Sequence, residues 1–342
     1  MNSSCERIRI SVLGAGTWGI ALARVLSLNG HEVTVWSKFP SEAEALDRTR
    51  EAPNLPGVRI PGDIRFTSDP AAAAEGADYF LMVVPSIYVR DTAGLFAGFL
   101  KQDPVWISAA KGIERDTLMT LTEVIEDEIV RRGGKKPRTV AISGPTHAEE
   151  VARDLPTLIV AAGEDAEVTA GVQKLFEGSC IRPYTNEDKR GVQICGALKN
   201  VEALAVGIAK GLGYGDNTKA AMMTRGMEEI RRLGLAMGCR ERTFFGLAGI
   251  GDLIVTATSN HSRNNRAGML IGQGKTPEEA LKEVGMVVEG VNALPAAIRL
   301  CEKYNMEMPL IHAVQQVILE GADPKEIVQH LMGRSLKSEN QS

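Results

Sequence analysis

The sequence predicts an α/β dinucleotide-binding domain of the Rossmann type followed by an all-α domain. Three observations support this order. A G-x-G-x-x-G segment lies between two strand-like runs near the start of the chain. Apolar runs typical of buried parallel strands recur up to about residue 184. Beyond about Lys189 only helical patterns follow, so we expect residues 1–189 to form the first domain and residues 190–342 the second.

The glycine segment follows a short strand of alternating apolar residues. Gly14 permits a tight turn, Gly16 lets the backbone approach a pyrophosphate, and Gly19 lets the next helix lie close to the sheet. That helix ends near Asn29, and a second strand begins at Val33. A glycine-rich turn that binds nothing is the alternative. The flanking strand, helix and strand favour a dinucleotide site, because free N–H groups and the helix dipole attract phosphates there.

The residues after the second strand bear on the choice between NADH and NADPH. An NAD site usually places Asp or Glu about 20 residues beyond the glycines, where it binds the ribose 2′-OH. Here the strand leads into Trp36, Ser37, Lys38 and Phe39, with no carboxylate. A hydroxyl and an ammonium tolerate a 2′-phosphate. We therefore expect NADPH to be used at least as well as NADH, unless Lys38 is only a solvated surface residue.

Composition and charge argue against several classes of function. The chain has 342 residues, a net charge of −4 and 24% charged residues, which suits two domains and does not indicate a nucleic-acid partner. We expect no membrane span, because the apolar runs are short, and no signal peptide at the N-terminus. The five cysteines are scattered without a C-x-x-C pair, so we expect reduced thiols in the cytoplasm. Neither cysteines nor histidines have the spacing of metal ligands, so we expect no metal.

The remainder of the first domain alternates strands and helices. We expect strands at 64–66, 79–84, 105–109, 139–142, 157–162 and 181–184. We expect helices within 70–78, 117–132 and 165–176. The run at 79–84 is apolar throughout and ends at Pro85-Ser86, as a central parallel strand would. Loops after such strands lie at the carboxyl edge of the sheet, where doubly wound folds bind their ligands.

Two of these loops carry candidate site residues. Lys111 comes just past the strand at 105–109 and is either a cation that contacts substrate or phosphate, or a solvated loop residue. Gly144 and Thr146 follow the strand at 139–142. Thr146 and Glu149 have the spacing of a capping box. One interpretation is that Thr146 only caps the helix; the functional interpretation adds that free N–H groups at this helix start face a substrate or the nicotinamide carboxamide.

The second domain is expected to contain helices at 191–210, 218–237, 262–271, 277–284, 291–304 and 309–319, with a last short helix from 324. In the first of these, Lys199 and Asn200 interrupt a small, apolar surface. Burial lowers the pKa of a lysine and lets its amine accept a proton. The alternative is a surface lysine paired with Glu202 one turn further along.

A second unusual stretch in this domain is FFGLAGIGDLIVTATSNHSRNNR. Its glycines, Gly246, Gly249 and Gly251, are expected to form a close turn that delivers Asp252. Polar and basic residues then crowd the start of a helix: Ser262, Arg263, Asn264 and Arg266. Together with a helix N-terminus they suit a phosphate dianion, although Ser262 as a simple N-cap with solvated arginines is the alternative. A second phosphate-suited feature indicates a phosphorylated substrate.

A series of short motifs runs in order along nearly the whole chain: GAGTWG, VVPS, AAKGIE, ISGPT, GALKN, GLAGIGDL and SRNNR. Together they closely resemble the bacterial NAD(P)-dependent glycerol-3-phosphate dehydrogenases. The resemblance implies a Rossmann-type domain joined to an all-α domain, and a chain that is commonly a homodimer. It also implies the interconversion of dihydroxyacetone phosphate and sn-glycerol 3-phosphate with NADPH or NADH, which supplies glycerol 3-phosphate for phospholipid synthesis.

The resemblance implies a role for each matching residue. Lys199 becomes the proton donor and acceptor at the substrate C2 oxygen, with Lys111 and Asp252 as its catalytic neighbours. The substrate site would comprise Lys111, Gly144, Thr146, Lys199, Asn200, Asp252, Thr256, Ser262, Arg263 and Asn264. The cofactor would contact Gly14, Gly16, Thr17, Trp18, Gly19, Lys38, Lys111, Ala148, Arg263, Val287 and Glu289. Position 38 is often His or Arg in this family, so Lys38 leaves the cofactor preference open.

The sequence leaves two other interpretations. A ketopantoate or β-hydroxyacid reductase also joins a Rossmann-type domain to a helical one, but it acts on carboxylates and has no need of the SRNNR cluster. A non-catalytic NAD(P) sensor would keep the glycine segment and could lose Lys199 and Asp252, which are both present.

Overall fold

The computed structural model describes residues 7–336 and 338–339. Within them, eight strands form one sheet in the order β3-β2-β1-β4-β5-β6-β7-β8. Their bounds are β1 Arg9–Leu13, β2 Glu32–Trp36, β3 Arg65–Thr67, β4 Tyr79–Met82, β5 Val105–Ser108, β6 Thr139–Ser143, β7 Thr157–Ala162 and β8 Ile181–Asn186. Neighbouring strands are parallel except β6 and β7. The predicted α/β fold is confirmed.

Helices cover both faces of this sheet, which explains why β5 and β6 are buried throughout and β4 is buried except at Tyr79. Their bounds are α1 Thr17–Leu28, α2 Pro40–Thr49, α3 Pro70–Ala74, α4 Val89–Ala97, α5 Leu121–Arg131, α6 Ala148–Val151 and α7 Ala166–Lys174, with a 3₁₀ turn at Ser86–Tyr88. The sequence did not predict α2 or α4. Helix α5 begins four residues later than expected, because Thr120 and Glu123 form a capping box there.

The residues from Lys189 onward are helical, as predicted. The helices are α8 Lys189–Gly211, α9 Asp216–Ala236, α10 Glu241–Phe244, α11 Asp252–Thr258, α12 Arg263–Gly272, α13 Pro277–Val284, α14 Glu289–Tyr304, α15 Pro309–Leu319 and α16 Pro324–Met332. Residues from α9, α11, α12 and α14 pack around α8, and 20 of its 23 residues are buried. At α13 the predicted capping box of Thr276 and Glu279 is present.

The antiparallel pair β6 and β7 determines where α8 begins. Strand β7 runs back towards the amino edge of the sheet, and β8 follows it in parallel. Helix α8 therefore begins at that edge, where Lys189 Nζ donates to Oγ1 of Thr139, the first residue of β6, at 2.9 Å. Further along α8, Gly196 packs against Ser143, the last residue of β6, and against Lys111. The helix thus crosses the sheet from its amino edge to its carboxyl edge.

Helix α8 also corrects an expectation about apolar length. It has 23 residues and a mean hydropathy of 1.3 in its most apolar window, so length and composition alone would allow it to cross a membrane. The expectation that every apolar run is too short for a span was therefore wrong. All of this window is buried inside the protein, as in the core helix of a globular domain.

The described cysteines form no disulfide bond. Cys180, Cys195, Cys239 and Cys301 are free thiols, and Cys5 lies outside the described residues. Most of the N-terminal stretch in which we expected no signal peptide, residues 1–6, lies outside them as well. In the part of the chain that the structure describes, no three His, Cys, Asp or Glu side chains form a group able to hold a metal ion.

Candidate functional site

The side chain of Lys199 is buried at the carboxyl edge of the sheet. Its Nζ donates to Asp252 Oδ1 at 2.9 Å and to Thr256 Oγ1 at 2.6 Å, and the residue is only 4% exposed. The alternative of a surface lysine paired with Glu202 is therefore wrong. Glu202 is itself buried, and neither of its carboxylate oxygens has a hydrogen-bond partner among the described residues.

Lys111 reaches the same carboxylate from the sheet side. Its Nζ donates to Asp252 Oδ2 at 2.6 Å, to the carbonyl oxygen of Gly144 at 3.0 Å and to Thr146 Oγ1 at 3.2 Å. Its side chain is 17% exposed, so the alternative of a solvated loop lysine is wrong. The carboxylate of Asp252 thus lies between two ammonium groups, one from each half of the chain.

The electrostatics of this cluster favour proton transfer at Lys199. Burial, as the largest cause, lowers the pKa of Lys199 to about 8, and the positive charges of Lys111 and Arg263 act in the same direction. The carboxylate of Asp252 opposes this shift. For Asp252, burial favours the neutral acid, but the two ammonium groups outweigh it and hold the pKa of Asp252 below its usual value. An ionised carboxylate therefore faces an amine with a pKa of about 8.

Asp252 is positioned by an unusual helical turn. The sequence predicts a close glycine turn, whereas the structure has a π-helical turn, Leu247–Gly251, that continues directly into α11. Gly249 makes it possible, since a Cβ there would lie 2.1 Å from the carbonyl oxygen of Phe244. Thr256 lies one turn beyond Asp252 on α11, so both side chains point towards Lys199. Such single π turns are frequent at functional sites.

The predicted capping box of Thr146 and Glu149 is wrong. Helix α6 begins at Ala148, and His147 occupies the N-cap position without a side-chain capping bond. The hydroxyl of Thr146 instead donates to the carbonyl oxygen of Gly144 at 3.0 Å and accepts from Lys111. This hydroxyl therefore bonds to Lys111 and Gly144 and does not cap the helix.

The start of α12 carries the predicted phosphate residues. Ser262 is the N-cap of α12, and its hydroxyl oxygen accepts a hydrogen bond from the N–H of Asn265 at 3.2 Å. This bond is the one expected if Ser262 is a simple N-cap. Arg263 is exposed, and no ion pair to it is found among the described residues. The side chain of Asn264 is already engaged: it donates to Asn200 Oδ1 at 2.9 Å and accepts from the N–H of Gly290 at 2.8 Å.

The glycine segment has the geometry that a dinucleotide site requires. Gly14 has a φ of +124°, and a Cβ at Gly19 would lie 2.1 Å from the carbonyl oxygen of Gly14. A Cβ at Gly16 would meet no atom of the described residues within 4 Å, which leaves room for a ligand beside the start of α1. The Thr17 hydroxyl is buried there, and no described residue forms a hydrogen bond with it. A pyrophosphate fits this open, donor-rich helix start.

The structure brings the glycine segment close to the cluster of Lys111, Lys199 and Asp252. Trp18 lines one narrow cleft together with Lys111, Ile142, Ser143, Thr146 and Ile159. The other predicted cofactor residues lie around this edge. Ala148 is buried at the start of α6, Val287 is half-buried in the loop before α14, and Glu289 is the first residue of α14.

Lys38 lies apart from this cluster. It is exposed in the loop between β2 and α2, and no hydrogen bond or ion pair joins it to another described residue. The expectation of no carboxylate at the end of β2 needs a correction. Glu42, in the first turn of α2, accepts a hydrogen bond from the Ser37 hydroxyl. Helix α2 thus places the carboxylate of Glu42 beside Ser37, although the residues that directly follow β2 include no carboxylate.

Four residues at the site were not identified from the sequence. Ser86 contacts Glu289, Asn265 donates to the carbonyl oxygen of Ala257 at 2.7 Å, and the ring of His147 lies 5.8 Å from that of His261. Ser86 belongs to the VVPS motif and Asn265 to SRNNR, so these motifs were an available signal. No spacing in the sequence pairs the two histidines.

Comparisons with known proteins agree with this site. The chain matches the family models described as the N-terminus of NAD-dependent glycerol-3-phosphate dehydrogenase over residues 9–169 and its C-terminus over residues 188–329. The chain belongs to the NAD-dependent glycerol-3-phosphate dehydrogenase family. The resemblance inferred from the short motifs is therefore confirmed.

Individual members of the glycerol-3-phosphate dehydrogenase family match over nearly their whole length. Glycerol-3-phosphate dehydrogenase [NAD(P)+] 2 of Lactobacillus delbrueckii subsp. bulgaricus is 59% identical over 97% of this chain and 98% of its own. Glycerol-3-phosphate dehydrogenase [NAD(P)+] of Fusobacterium nucleatum is 47% identical over 98% of this chain and 99% of its own. The crystal structure of glycerol-3-phosphate dehydrogenase from Coxiella burnetii superposes with a TM-score of 0.91, at 34% identity, over 96% of this chain and 99% of its own.

Proposed function

We propose that this chain is an NAD(P)-dependent oxidoreductase that interconverts dihydroxyacetone phosphate and sn-glycerol 3-phosphate. One observation carries the proposal most directly: a buried lysine, Lys199, bonded to an ionised carboxylate, at the edge of the sheet that also carries the dinucleotide fingerprint. Full-length relatives named glycerol-3-phosphate dehydrogenase [NAD(P)+] support the same reaction.

Lys199 acts as the acid and base at the substrate C2 oxygen. In the direction of ketone reduction its ammonium donates a proton to the forming alkoxide, and in the reverse direction its neutral amine accepts the proton. The nicotinamide, when bound, supplies or takes up the hydride. The carboxylate of Asp252 holds Lys199 and Lys111 in place at 2.9 and 2.6 Å, so both cations face the same reacting region.

The start of α12 holds the substrate phosphate. The first N–H groups of a helix have no partner within the helix, and Ser262 satisfies only that of Asn265. The N–H groups of Arg263 and Asn264, together with the Arg263 guanidinium, are therefore the phosphate donors. The engaged side chain of Asn264 holds this helix start against Asn200, next to Lys199. The remaining substrate contacts are Gly144, Thr146 and Thr256 around the two lysines.

The cofactor lies along the glycine segment, with its pyrophosphate at Gly16, Thr17 and the start of α1. Trp18, Ala148, Val287 and Glu289 border the nicotinamide end of the same groove. We propose that Lys38, at the opposite end, contacts the 2′-phosphate of NADPH. Comparison of kcat/KM for NADPH and NADH in the wild type and in Lys38→Ala tests this, and a strong NADH preference in the wild type would contradict it.

The proposal extends to organisation and cellular role. We propose a dinucleotide-binding domain over residues 1–189 and a helical substrate domain over residues 190–342, assembled as a homodimer in the cytoplasm. The reaction supplies glycerol 3-phosphate for phospholipid synthesis. Size-exclusion chromatography with light scattering tests the dimer, and a monomer at micromolar concentration would contradict it.

A substrate comparison tests the reaction itself. Oxidation of NADPH at 340 nm is followed after addition of dihydroxyacetone phosphate or of ketopantoate to the purified protein. We expect rapid oxidation with the first ketone only. Oxidation with ketopantoate alone would favour the reductase alternative, and oxidation with neither would favour a non-catalytic NAD(P) sensor.

A further inference from the structure

Ser86 and Glu289 form a paired contact between the sheet and the helical half of the chain. Ser86 opens the 3₁₀ turn after β4, and Glu289 is the first residue of α14. The N–H of Ser86 donates to Glu289 Oε1 at 2.9 Å, and its hydroxyl donates to Oε2 at 2.5 Å. Both carboxylate oxygens are thus engaged by one residue, which fixes the direction as well as the distance of the contact.

On the sheet side, this contact adjoins the loop of Lys111. Gly112 packs so closely on Ser86 that a Cβ at position 112 would lie 2.4 Å from the Cβ of Ser86. The position of Ser86 therefore limits where Gly112 can lie. Lys111 precedes Gly112, and its Nζ donates to Asp252 Oδ2 at 2.6 Å.

On the helical side, the contact adjoins the neighbours of Lys199. The N–H of Gly290, next to Glu289, donates to Asn264 Oδ1 at 2.8 Å, and Asn264 Nδ2 donates to Asn200 Oδ1 at 2.9 Å. Asn200 follows Lys199 on α8. A closed ring of contacts therefore runs from Lys111 through Ser86 and Glu289 to Lys199, and back through the carboxylate of Asp252.

We infer that Ser86 and Glu289 are a positioning pair, which sets the separation of the two halves so that Lys111 and Lys199 bind opposite oxygens of Asp252. Ser86 acts through Gly112 and Glu289 acts through Gly290. The inference deepens the proposed function and depends on it for its kinetic readout. The alternative is that Glu289 only contacts the cofactor. In that case, substitution of Ser86 would not change turnover.

A double-mutant cycle tests the pair. Ser86→Ala, Glu289→Gln and the double variant are compared with the wild type in kcat, in KM for dihydroxyacetone phosphate and in the Kd of NADPH measured by fluorescence. We expect Ser86→Ala to lower kcat about tenfold with the Kd of NADPH nearly unchanged, because the loss lies in alignment. We expect the double variant to be no slower than Glu289→Gln, since both single changes break the same contact.

The matched control is Arg190→Gln. Arg190 of α8 pairs with Glu123 of α5 at 2.6 Å, and so it also joins the two halves, but away from the site. We expect wild-type kcat in this variant. Wild-type kcat in Ser86→Ala, or strictly additive losses in the cycle, would overturn the inference, whereas an inactive wild type would overturn the proposed function.

Amide hydrogen exchange gives a readout that needs no turnover. We expect Ser86→Ala to speed exchange at the N–H of Gly290 relative to the wild type and to Arg190→Gln, because the start of α14 loses one of the two hydrogen bonds that Ser86 donates to Glu289. Unchanged exchange at Gly290 would overturn the inference even if kcat fell.

Discussion

Lys199 and Asp252 form an ion pair that is almost entirely removed from solvent, with 2.9 Å between Nζ and Oδ1 and residue exposures of 4% and 1%. Charges buried to this degree are costly unless they are fully paired. Their attraction keeps the lysine in place while burial lowers its proton affinity.

Lys199→Ala should abolish most turnover while the cofactor still binds. Loss of general acid catalysis costs about 10²–10⁴-fold, so we expect at least that loss in kcat. The Kd of NADPH, measured by fluorescence, should change little, because the glycine segment is untouched. Lys174→Ala, on the exposed surface of α7, is the control and should match the wild type. Near-normal kcat in Lys199→Ala would remove this residue from its assigned role.

The two reaction directions should depend on pH in opposite senses. Burial lowers the pKa of Lys199 to about 8. Ketone reduction needs the ammonium, so its kcat/KM should fall as the pH rises through about 8. Alcohol oxidation needs the neutral amine, so its kcat/KM should rise over the same range. Initial rates from pH 6 to pH 10 measure both profiles, and parallel profiles would contradict Lys199 as the shared acid and base.

Arg263→Ala should weaken binding of the phosphorylated ketone more than it slows turnover. The guanidinium supplies a charge-assisted bond to the phosphate, worth about 1.5–3 kcal/mol, so KM should rise about 10- to 100-fold. Lys282→Ala, which removes a positive charge from the exposed surface of α13, is the control. An unchanged KM in Arg263→Ala would place the phosphate elsewhere.

Glu202→Gln should stabilise the protein in alkaline solution. Burial, and then the charge of Glu229, raise the pKa of Glu202 well above its usual value, and burial raises that of Glu229. The folded state therefore retains protons that the unfolded state has lost. This contribution to stability is full below about pH 4.5, the usual pKa of glutamate, and is lost as the pH rises through the folded-state values.

Thermal unfolding between pH 5 and pH 9 measures this effect. The Tm of the wild type should fall with rising pH, and that of Glu202→Gln should fall less, with a gain of about 1–3 kcal/mol at pH 9 from removal of the buried charge. Glu278→Gln, on the exposed first turn of α13, is the control. Parallel curves for the wild type and Glu202→Gln would contradict a protonated Glu202.

The sequence predicted the elements with strong local signals. Strand β7 and helices α13 and α15 have the expected bounds, because apolar spacing and proline starts mark them. Helix α4 was missed although Val89, Ala93 and Phe96 have helical spacing and are buried. Helix α2 has a weaker apolar pattern, since only two of its residues, Ala43 and Leu46, are buried.

The partners of the site side chains were harder to predict than the site itself. Helical spacing suggested Glu202 as the partner of Lys199, but the lysine bonds to Asp252, which is 53 positions away in the sequence. Thr146 had the spacing of a capping box, yet its hydroxyl serves Lys111. Local rules describe only neighbours in sequence, and the resemblance to a known family supplied the roles that spacing could not.

The reversed strand β7 has a consequence for how this enzyme can vary. Because α8 begins at the amino edge of the sheet, the ten-residue separation of Lys189 and Lys199 has to match the length of the strands. These helical residues rise about 15 Å, close to the roughly 16 Å of a five-residue strand. One inserted residue there would swing the amine about 100° around the helix axis, away from its carboxylate. In this stretch the number of residues therefore determines the position of the amine as much as their identity does.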